Sequence, residues 1–249
     1  MQTPKISIIT VTFNAEKIIE KTIQSVLAQT YPNIEYIIVD GLSKDNTLTV
    51  VSQYKDRIHK IISEKDKNNY DAMNKGLALA TGDYVWFLHA GDYIPQPDTL
   101  EKAMAGANFA DFVYGDAEIY TETGEIIPFH KKTPSPIGFS WRTFRNGMLI
   151  CHQSMIMKRN IAVLYDFETY QVTADLDWTI RSLKKAESFH YMGDKLCAFL
   201  AGGISKQRRK QGLWERFQIL YKHFGLFETL WEHLLIVFQA IRRGSISNN

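Results

Sequence analysis

Residues that could bind a ligand or take part in catalysis follow three apolar, strand-like runs in the first part of the sequence. Phe13 and Asn14 follow the first run, Asp40 and Gly41 follow the second, and the segment 89–92 (HAGD) follows the fourth. A single Asp at such a position is commonly a turn former or a helix cap. Because the carboxyl ends of parallel strands meet at one edge of a sheet, three polar ends together predict a ligand site at that rim.

The common phosphate-binding loops are absent from the sequence. No G-x-G-x-x-G follows the first run, and no G-x-x-x-x-G-K-[ST] occurs anywhere. Phosphates would therefore need another counter-charge. A carboxylate at a strand end supplies one by holding Mg²⁺ or Mn²⁺, which takes its remaining ligands from water and a substrate diphosphate. Asp92 is the candidate for this role.

A second carboxylate pair, Asp175 and Asp177, flanks Leu176 just before Trp178. An extended backbone would point both carboxylates to the same side, whereas the start of a helix would separate them. The bare D-x-D pattern is common on protein surfaces. From the residues alone, a catalytic pair and two surface carboxylates are both possible.

Three polar residues of a predicted helix over 71–80 share one side of it, namely Asp71, Asn74 and Lys75. The apolar residues of the same segment can pack toward a sheet. This polar side could be a solvated helix face, or it could contact a ligand.

Two further candidates lie later in the chain. His152 stands between the two carboxylate elements and could contact a substrate, although a lone histidine is more often structural. Arg208 and Arg209 belong to the basic segment 202–210 (GGISKQRRK). Such a cluster is commonly solvated, but it could also fold over a diphosphate or meet anionic lipid.

Alternating strands and helices must position these residues. β-Branched apolar runs predict strands, amphipathic segments between them predict helices, and Asn14 is the predicted N-cap of the first helix. The predicted strands are 6–13, 36–39, 58–62 and 84–89, and the predicted helices are one carrying Ile19, Ile23 and Val26, then 43–54 and 71–80. This order predicts an α/β fold with a mostly parallel central sheet flanked by helices.

The pattern changes after Asp92. Short runs at 111–114, 117–120 and 125–129 predict antiparallel additions to the sheet. The segment 131–147, which contains prolines and glycines, is predicted to be an irregular loop.

Composition limits the class of protein. The chain has 249 residues and a formal net charge of +2, which gives no basic field to make nucleic acid the default partner. Cys151 and Cys197 lack the spacing of a disulfide framework or a zinc site, which favours a reducing compartment. The sequence shows no signal-peptide pattern and no apolar run of roughly 18 residues. We therefore expect a cytoplasmic protein without a nucleic-acid partner.

The sequence divides into a predicted α/β domain, 1–204, and a helical tail, 205–249. Apolar residues of the tail recur at helical spacing and are interrupted near Gly225, which predicts two amphipathic helices. Their apolar faces could pack on the main domain or on a second copy in a homodimer. Aromatic residues near Arg242 and Arg243 would also suit a helix lying on a membrane surface.

Four segments in this order and spacing resemble family 2 glycosyltransferases, namely ISIITVTFN, VDGLSKDNT, YDAMNKGLALATGDYVWFLHAGD and TADLDW. The resemblance covers roughly residues 5–205. It implies an inverting transferase on a GT-A fold that takes a sugar from a nucleotide-diphosphate donor, with a UDP-sugar expected.

The resemblance implies roles in donor binding for several residues. Asp40 would hydrogen-bond the base of the nucleotide, and Phe13 and the backbone near Val11 would line its pocket. Asp71 and Asn74 would contact the donor sugar or nucleotide.

The resemblance also implies how the diphosphate is held. Asp92 matches the final carboxylate of the family's metal-binding element, while Gly91 stands where many members carry Asp and His89 where many carry Asn or Asp. Metal dependence is therefore open to test. Lys75 would contact the phosphates, as could the 208–209 pair.

The family places its catalytic base in an E-D or A-D pair, which Ala174 and Asp175 match. Asp175 is thus the expected base and Asp177 the second choice. The expected acceptor is a glycan or lipid-linked hydroxyl, on a cell-surface polysaccharide built at the cytoplasmic face of a membrane. The alternative is a non-catalytic protein that binds nucleotide sugars or glycans, which turnover would distinguish.

Overall fold

A mixed sheet of eight strands organises the computed structural model, which describes residues 3–127, 133–202 and 208–246. The strands are β1 (Ile6–Thr12), β2 (Ile34–Asp40), β3 (Lys60–Ser63), β4 (Tyr84–Phe87), β5 (Phe112–Tyr120), β6 (Ile126–Ile127), β7 (Met155–Lys158) and β8 (Phe189–Leu200). Their order across the sheet is β3-β2-β1-β4-β7-β5-β6, and β8 pairs with β5.

Six α-helices in these residues cover the sheet. They are α1 (Ile19–Leu27), α2 (Thr47–Ser52), α3 (Asn69–Leu79), α4 (Thr99–Ala105), α5 (Ala174–Leu183) and α6 (Arg209–Ile246). Short 3₁₀ helices occur at Lys55–Arg57, Trp141–Asn146 and His152–Ser154.

Both faces of the sheet are buried, as the continuous apolar strands predict. Side chains alternate across a strand, so Ile9 and Val11 of β1 pack in the core shared by α3, α5 and α6. Ile6 and Ile8 pack on the other face, with α1 and α4. The α/β prediction is confirmed, and the sheet is mixed because β7 runs antiparallel to both β4 and β5.

The parallel strands set the position of the rim. In the register of the sheet Thr12 pairs with Asp40, and Asp40 pairs with Ser63. The ends of β1, β2 and β3 therefore lie side by side. Strand β4 is parallel to β1, and its last residue, Phe87, pairs with Ile9. The segment that follows β4 therefore begins near the same edge of the sheet.

One local prediction near the rim is wrong, and a second gives a helix that is too long. Asn14 does not cap α1, which begins at Ile19; Asn14 has a left-handed backbone (φ 49°), and its side-chain oxygen accepts from Lys44 N at 2.8 Å. Asn tolerates this conformation better than most residues, so it forms a turn here. The second helix spans only Thr47–Ser52, within the predicted 43–54.

The segments 111–114 and 117–120 form one strand, β5, instead of two antiparallel ones. The register with β8 shifts near Gly115, where a Cβ would lie 2.8 Å from Asp194 O. The break between the two predicted runs is thus an irregularity within one strand. Strands β5 and β8 run parallel.

The antiparallel addition predicted at 125–129 is confirmed for β6, while positions 128–129 lie outside the described residues. The predicted loop 131–147 is irregular at 133–140 and then forms the 3₁₀ helix Trp141–Asn146; its first two residues also lie outside the described part.

Helix α6 bends at Gly225 (φ 82°, ψ 171°), which confirms the predicted break. Ile219 and Leu220, before the bend, are fully buried in the main core. After the bend Phe227 is 90% exposed and Trp231 is 63% exposed. None of the described helices is both long and apolar enough to span a bilayer.

Candidate active site

An exposed aromatic ring and a carboxylate flank Gly41 at the end of β2. A Cβ placed on Gly41 would lie 3.0 Å from Asp66 Oδ2 and 3.4 Å from Cδ2 of Phe13. Phe13 is 60% exposed, although it follows a fully buried strand. A planar base could stack on this ring and meet the carboxylate at its edge.

Asp40 stabilises the turn at the carboxyl end of β2 through hydrogen bonds. Its carboxylate has no exposed surface and accepts from Ser43 N at 3.0 Å, from the Ser43 hydroxyl and from Ser63 Oγ at 2.6 Å. These contacts fix the turn that carries Gly41. The predicted contact between Asp40 and a base stays a prediction, since the carboxylate is covered in this structure.

Lys75 is held among acidic groups. Its Nζ lies 2.6 Å from Asp66, 2.9 Å from Glu64 and 3.8 Å from Asp71. Burial opposes the charge, but hydrogen bonds to Asp66 and Glu64 outweigh it and raise the pKa of Lys75 above its usual value. Contact with a phosphate would require Lys75 to exchange one of these partners.

Asn74 joins α3 to the segment before α5. Its side chain donates to Tyr165 O at 3.0 Å and accepts from Tyr165 N at 2.7 Å. Asp71 accepts from Lys67 N at 2.9 Å. The predicted polar side of α3 therefore orders the neighbouring backbone in this structure.

Asp92 is almost fully buried in the turn that follows β4. Its carboxylate accepts from His89 N at 3.0 Å and from Leu200 N at 3.4 Å, and the Gln153 side chain also bonds to it. Burial raises the pKa of Asp92 to about 7, although these hydrogen bonds oppose the rise. A cation beside it would favour the ionised form.

Gly91 is required by backbone geometry. Its φ is +97°, and a Cβ there would lie 3.2 Å from Cδ1 of Ile18. An L-residue would be strained in this conformation. A glycine at this position therefore suits the backbone of the turn.

Two stacked histidines form one side of the site. The rings of His89 and His152 lie 5.9 Å apart, and His152 Nε2 hydrogen-bonds the Tyr165 hydroxyl. Burial lowers the pKa of His89 to about 4 and that of His152 to about 3. Both rings are therefore neutral near pH 7.

The residues at this turn suit a metal that draws most of its ligands from a diphosphate. In the described part of the chain, no three His, Cys, Asp or Glu side chains converge as a metal cage. Asp92 offers one carboxylate, and the buried Nδ1 of His89 has no hydrogen-bond partner among the described residues. Mg²⁺ is commonly bound by one or two carboxylates plus substrate phosphates, and the single carboxylate fits that pattern.

Helix α5 begins at Ala174 and so separates the two carboxylates of the D-x-D segment. Asp175 is half-buried and lines a cavity of about 610 Å³. Its carboxylate accepts from Leu176 N at 3.0 Å and also from the backbone N–H of Asp175 itself. Burial, with a smaller effect of Glu215, raises the pKa of Asp175 to about 6. This carboxylate is mostly ionised at pH 7 and can take a proton.

Asp177 points away from the cavity. It is fully buried, and its carboxylate bonds to Arg181, to Lys222 Nζ at 3.2 Å and to His223 Nε2 at 2.9 Å. Burial would raise its pKa, but the His223 and Arg181 hydrogen bonds hold the pKa at about 2. Asp177 joins α5 to α6.

The cavity brings several predicted residues together and leaves others outside. Val11, His89, His152 and Asp175 line it. Half-buried apolar side chains also line it, namely Ile119, Ile127, Met148 and Phe199. Arg208 lines an adjoining depression of about 360 Å³ and donates to Gln171 at 3.0 Å, while Arg209 is exposed at the start of α6.

Three contributors to the site were missed from the sequence. Asp66 lies in a polar stretch with no recognisable pattern, and Gln153 follows a histidine in a 3₁₀ helix. Glu215 belongs to the tail helix, whose sequence pattern is dominated by apolar residues at helical spacing. No local signal marks any of the three, because tertiary packing brings them to the site.

Comparisons with known proteins agree with this geometry. A sequence model described as Glycosyl transferase family 2 matches residues 7–164. An uncharacterised glycosyltransferase of Mycobacterium tuberculosis is 30% identical over 210 residues, covering 82% of this chain and 78% of the relative. A PGL/p-HBAD biosynthesis glycosyltransferase of Mycobacterium bovis is 31% identical over 190 residues, covering 73% and 70%.

Two solved structures show the same fold. S. aureus TarS 1-349 in complex with UDP-GlcNAc superposes with a TM-score of 0.67 at 20% identity, over 90% of this chain and 68% of that one. The mannosyltransferase PcManGT from Pyrobaculum calidifontis, in complex with GDP-Man and Mn²⁺, gives 0.64 at 17% identity, over 99% and 81%.

Proposed function

This chain belongs to glycosyl transferase family 2, and from that premise we propose that Asp175 is the base of an inverting transfer from a UDP-sugar. The chain is a glycosyltransferase that uses a nucleotide-sugar donor. The observation that carries the proposal is the half-buried Asp175 carboxylate, which faces the cavity and has a pKa of about 6.

The donor nucleotide occupies the rim beside Gly41. Phe13 supplies an exposed ring for the base, and Asp66 supplies a carboxylate for hydrogen bonds to its edge or to the ribose. Asp40 keeps the turn in place from below. A UDP-sugar complex of TarS, which has the same fold, supports the choice of uridine.

Asp92 would hold Mg²⁺ or Mn²⁺ on the donor diphosphate. Such a metal stabilises the charge that develops on the leaving group. The proposal rests on the Asp92 carboxylate, which is held at the turn by His89 N, and on the Nδ1 of His89, which has no partner among the described residues. The Mn²⁺ complex of PcManGT supports it.

Asp175 takes the proton of the acceptor hydroxyl as that oxygen forms a bond to the anomeric carbon. The bond from this carbon to the diphosphate oxygen breaks on the opposite face, and its electron pair leaves with the nucleoside diphosphate. One displacement inverts the anomeric centre. The neutral His89 and His152 rings line the same cavity and leave the negative charge on Asp175 uncompensated.

The acceptor is an amphipathic, lipid-linked glycan. Ile119, Ile127, Met148 and Phe199 form the wall of the cavity that Asp175 also lines. Burying sugar hydroxyls against such a wall costs about 1–3 kcal/mol for each one left without a partner. An acceptor with an apolar portion avoids this cost. Such an acceptor suits an enzyme that builds a cell-surface polysaccharide at the cytoplasmic face of the membrane.

The second half of α6 is the proposed membrane contact. Phe227, Trp231 and Leu234 are 63% to 90% exposed on the part of the helix that follows the bend at Gly225. Arg242 and Arg243 follow in the sequence and would favour anionic lipid. In this proposal the catalytic domain predicted at 1–204 is completed by the first half of α6, which packs in its core. A homodimer through the exposed face is the competing arrangement.

A donor screen tests the function. Thermal stabilisation by a panel of nucleotide sugars, with and without Mn²⁺, identifies the donor, and release of the nucleoside diphosphate then reports turnover. We expect UDP-sugars to stabilise the protein more with Mn²⁺ than without it. Stabilisation without any turnover, even with acceptor glycolipids present, would favour the non-catalytic binding protein.

A further inference from the structure

A buried carboxylate of α6 holds the turn that leads into α5. Glu215 is 3% exposed, and its side chain accepts from three consecutive backbone N–H groups, those of Gln171 at 3.1 Å, Val172 at 2.8 Å and Thr173 at 3.0 Å. The Thr173 hydroxyl and Gln211 Nε2 also donate to it, at 3.2 Å and 2.7 Å.

These amides belong to a helix start that has no cap of its own. Thr173 is the N-cap of α5, and its side chain makes no capping hydrogen bond. Negative charge is favourable near the start of a helix. Glu215 supplies that charge from another helix, and it accepts from the N–H groups of the N-cap and of the two residues before it.

Asp175 is the second residue of α5, immediately after this turn. The other side of the turn is fixed by the Tyr70 hydroxyl, which donates to Val172 O at 3.0 Å. We infer that Glu215 is a positioning residue for sugar transfer: from α6 it fixes the turn 171–173 so that the Asp175 carboxylate meets the acceptor hydroxyl. The inference rests on the proposed function of Asp175.

Glu215 also acts on Asp175 through its charge. Burial is the larger cause of the raised pKa of Asp175, and repulsion from Glu215 adds to it. The other titratable groups around Asp175 are the Tyr70 and Tyr165 hydroxyls and the two histidines of the cavity. Burial keeps these tyrosines protonated and the histidines neutral. Asp177, two residues further on, is paired with Arg181, and Glu215 is the charged group whose repulsion acts on the pKa of Asp175.

The test compares Glu215→Gln with Glu35→Gln. Glu35 is equally buried and accepts from Ser7 and Thr81, but it lies at the opposite, amino-terminal end of the strands. Both variants lose a buried, hydrogen-bonded carboxylate. Only the first removes a charge near Asp175.

The readout that separates positioning from stability is the titration of Asp175. Carbon-13 NMR of aspartate-labelled protein gives its midpoint, with the Asp175 signal identified by its loss in Asp175→Asn. We expect Glu215→Gln to move this midpoint to lower pH, because a repelling charge is gone, and Glu35→Gln to leave it in place. With the donor found by the screen, kcat should fall about 10-fold or more in Glu215→Gln while donor KM holds.

Glu215→Asp keeps the charge but shortens the side chain. It is the second variant of the test and replaces Glu215→Gln if that protein does not fold. It should retain the Asp175 midpoint and lose kcat. An unchanged midpoint in Glu215→Gln, or wild-type kcat in Glu215→Asp, would overturn the inference. The proposed function fails separately, if Asp175→Asn transfers sugar like the parent.

Discussion

Neighbouring acidic residues of one helix have opposite environments in this protein. Asp175 lines a cavity and has a pKa raised to about 6, whereas Asp177 is fully buried among basic groups and has a pKa of about 2. From the residues alone the sequence made both of them candidates and could not choose between them, and in the structure only Asp175 lines the cavity. The choice depends on where α5 begins, and Glu215 contributes to that from a distant part of the chain.

Asp177→Asn should lower the free energy of unfolding and leave the rate of sugar transfer nearly unchanged. The substitution leaves Arg181, Lys222 and His223 packed together without their carboxylate. Breaking such a buried pair costs about 3 kcal/mol, the low end of the usual range, because Arg181 and Lys222 keep contact with water. Urea unfolding measures the loss, and kcat of the folded variant should stay within about threefold of the parent.

The same carboxylate predicts a pH dependence of stability. The folded pKa of Asp177 is about 2, below its ordinary value, so its contribution is present at neutral pH and is lost as the pH falls through the folded pKa. The free energy of unfolding of the parent should therefore drop more between about pH 4 and pH 2 than that of Asp177→Asn. Equal slopes for the two proteins would remove Asp177 from this account.

The pKa of Asp175 predicts the acid side of the activity profile. A base must be ionised, so kcat at saturating donor and metal should rise with pH through a midpoint near 6. Saturating metal keeps Asp92 ionised and removes it from the profile. A rate independent of pH between about 5 and 8 would contradict a base with this pKa.

Phe13→Ala should weaken nucleotide binding without slowing chemistry at saturation. Stacking of a base on an aromatic ring contributes about 1–3 kcal/mol, so the dissociation constant for UDP should rise about 10-fold. Phe109, which is 51% exposed, provides the control Phe109→Ala. Calorimetry giving equal UDP affinity for Phe13→Ala and the parent would exclude Phe13 from the base pocket.

At the scale of elements, the alternation of apolar strands and amphipathic helices predicted the first half of the sheet well. Strands β1, β2 and β4 lie where their apolar runs are, since each is buried on both faces. The sequence predicts two short runs where β5 is one strand, and the parallel partner of this strand, β8, lies far along the sequence. Such long-range pairing leaves little local signal.

Helix α6 has two halves with different surroundings. Before Gly225 it contributes Glu215, Ile219 and Leu220 to the buried interior, and after it Phe227 and Trp231 face outward. The sequence showed both apolar faces but could not tell a core face from an exposed one, because both recur at the same helical spacing.

Truncation should distinguish the halves. A chain ending at Gly225 should fold and bind UDP, whereas one ending at Arg208 should aggregate, because it lacks the buried Glu215, Ile219 and Leu220. Circular dichroism and size-exclusion chromatography compare the two. The full chain should sediment with anionic vesicles and the chain ending at Gly225 should not; equal vesicle binding would reject the membrane contact.

At the scale of the whole molecule, the register of the sheet accounts for the location of the site. Thr12, Asp40 and Ser63 end adjacent strands at one rim, and Asp92 lies beside them. Four sequence segments therefore sufficed to predict the fold family. The apolar wall and Glu215 were not predictable, because they come from the later part of the chain, where the resemblance carries few motifs.

The central claim is that Asp175 removes the acceptor proton, and Asp175→Asn tests it most directly. Asn preserves the shape and the hydrogen bond from Leu176 N but cannot accept the proton as a base. With saturating donor, Mn²⁺ and acceptor, sugar transfer should fall by about 10²- to 10⁴-fold while donor affinity by calorimetry is unchanged. Transfer within about tenfold of the parent, with donor affinity intact, would contradict the account.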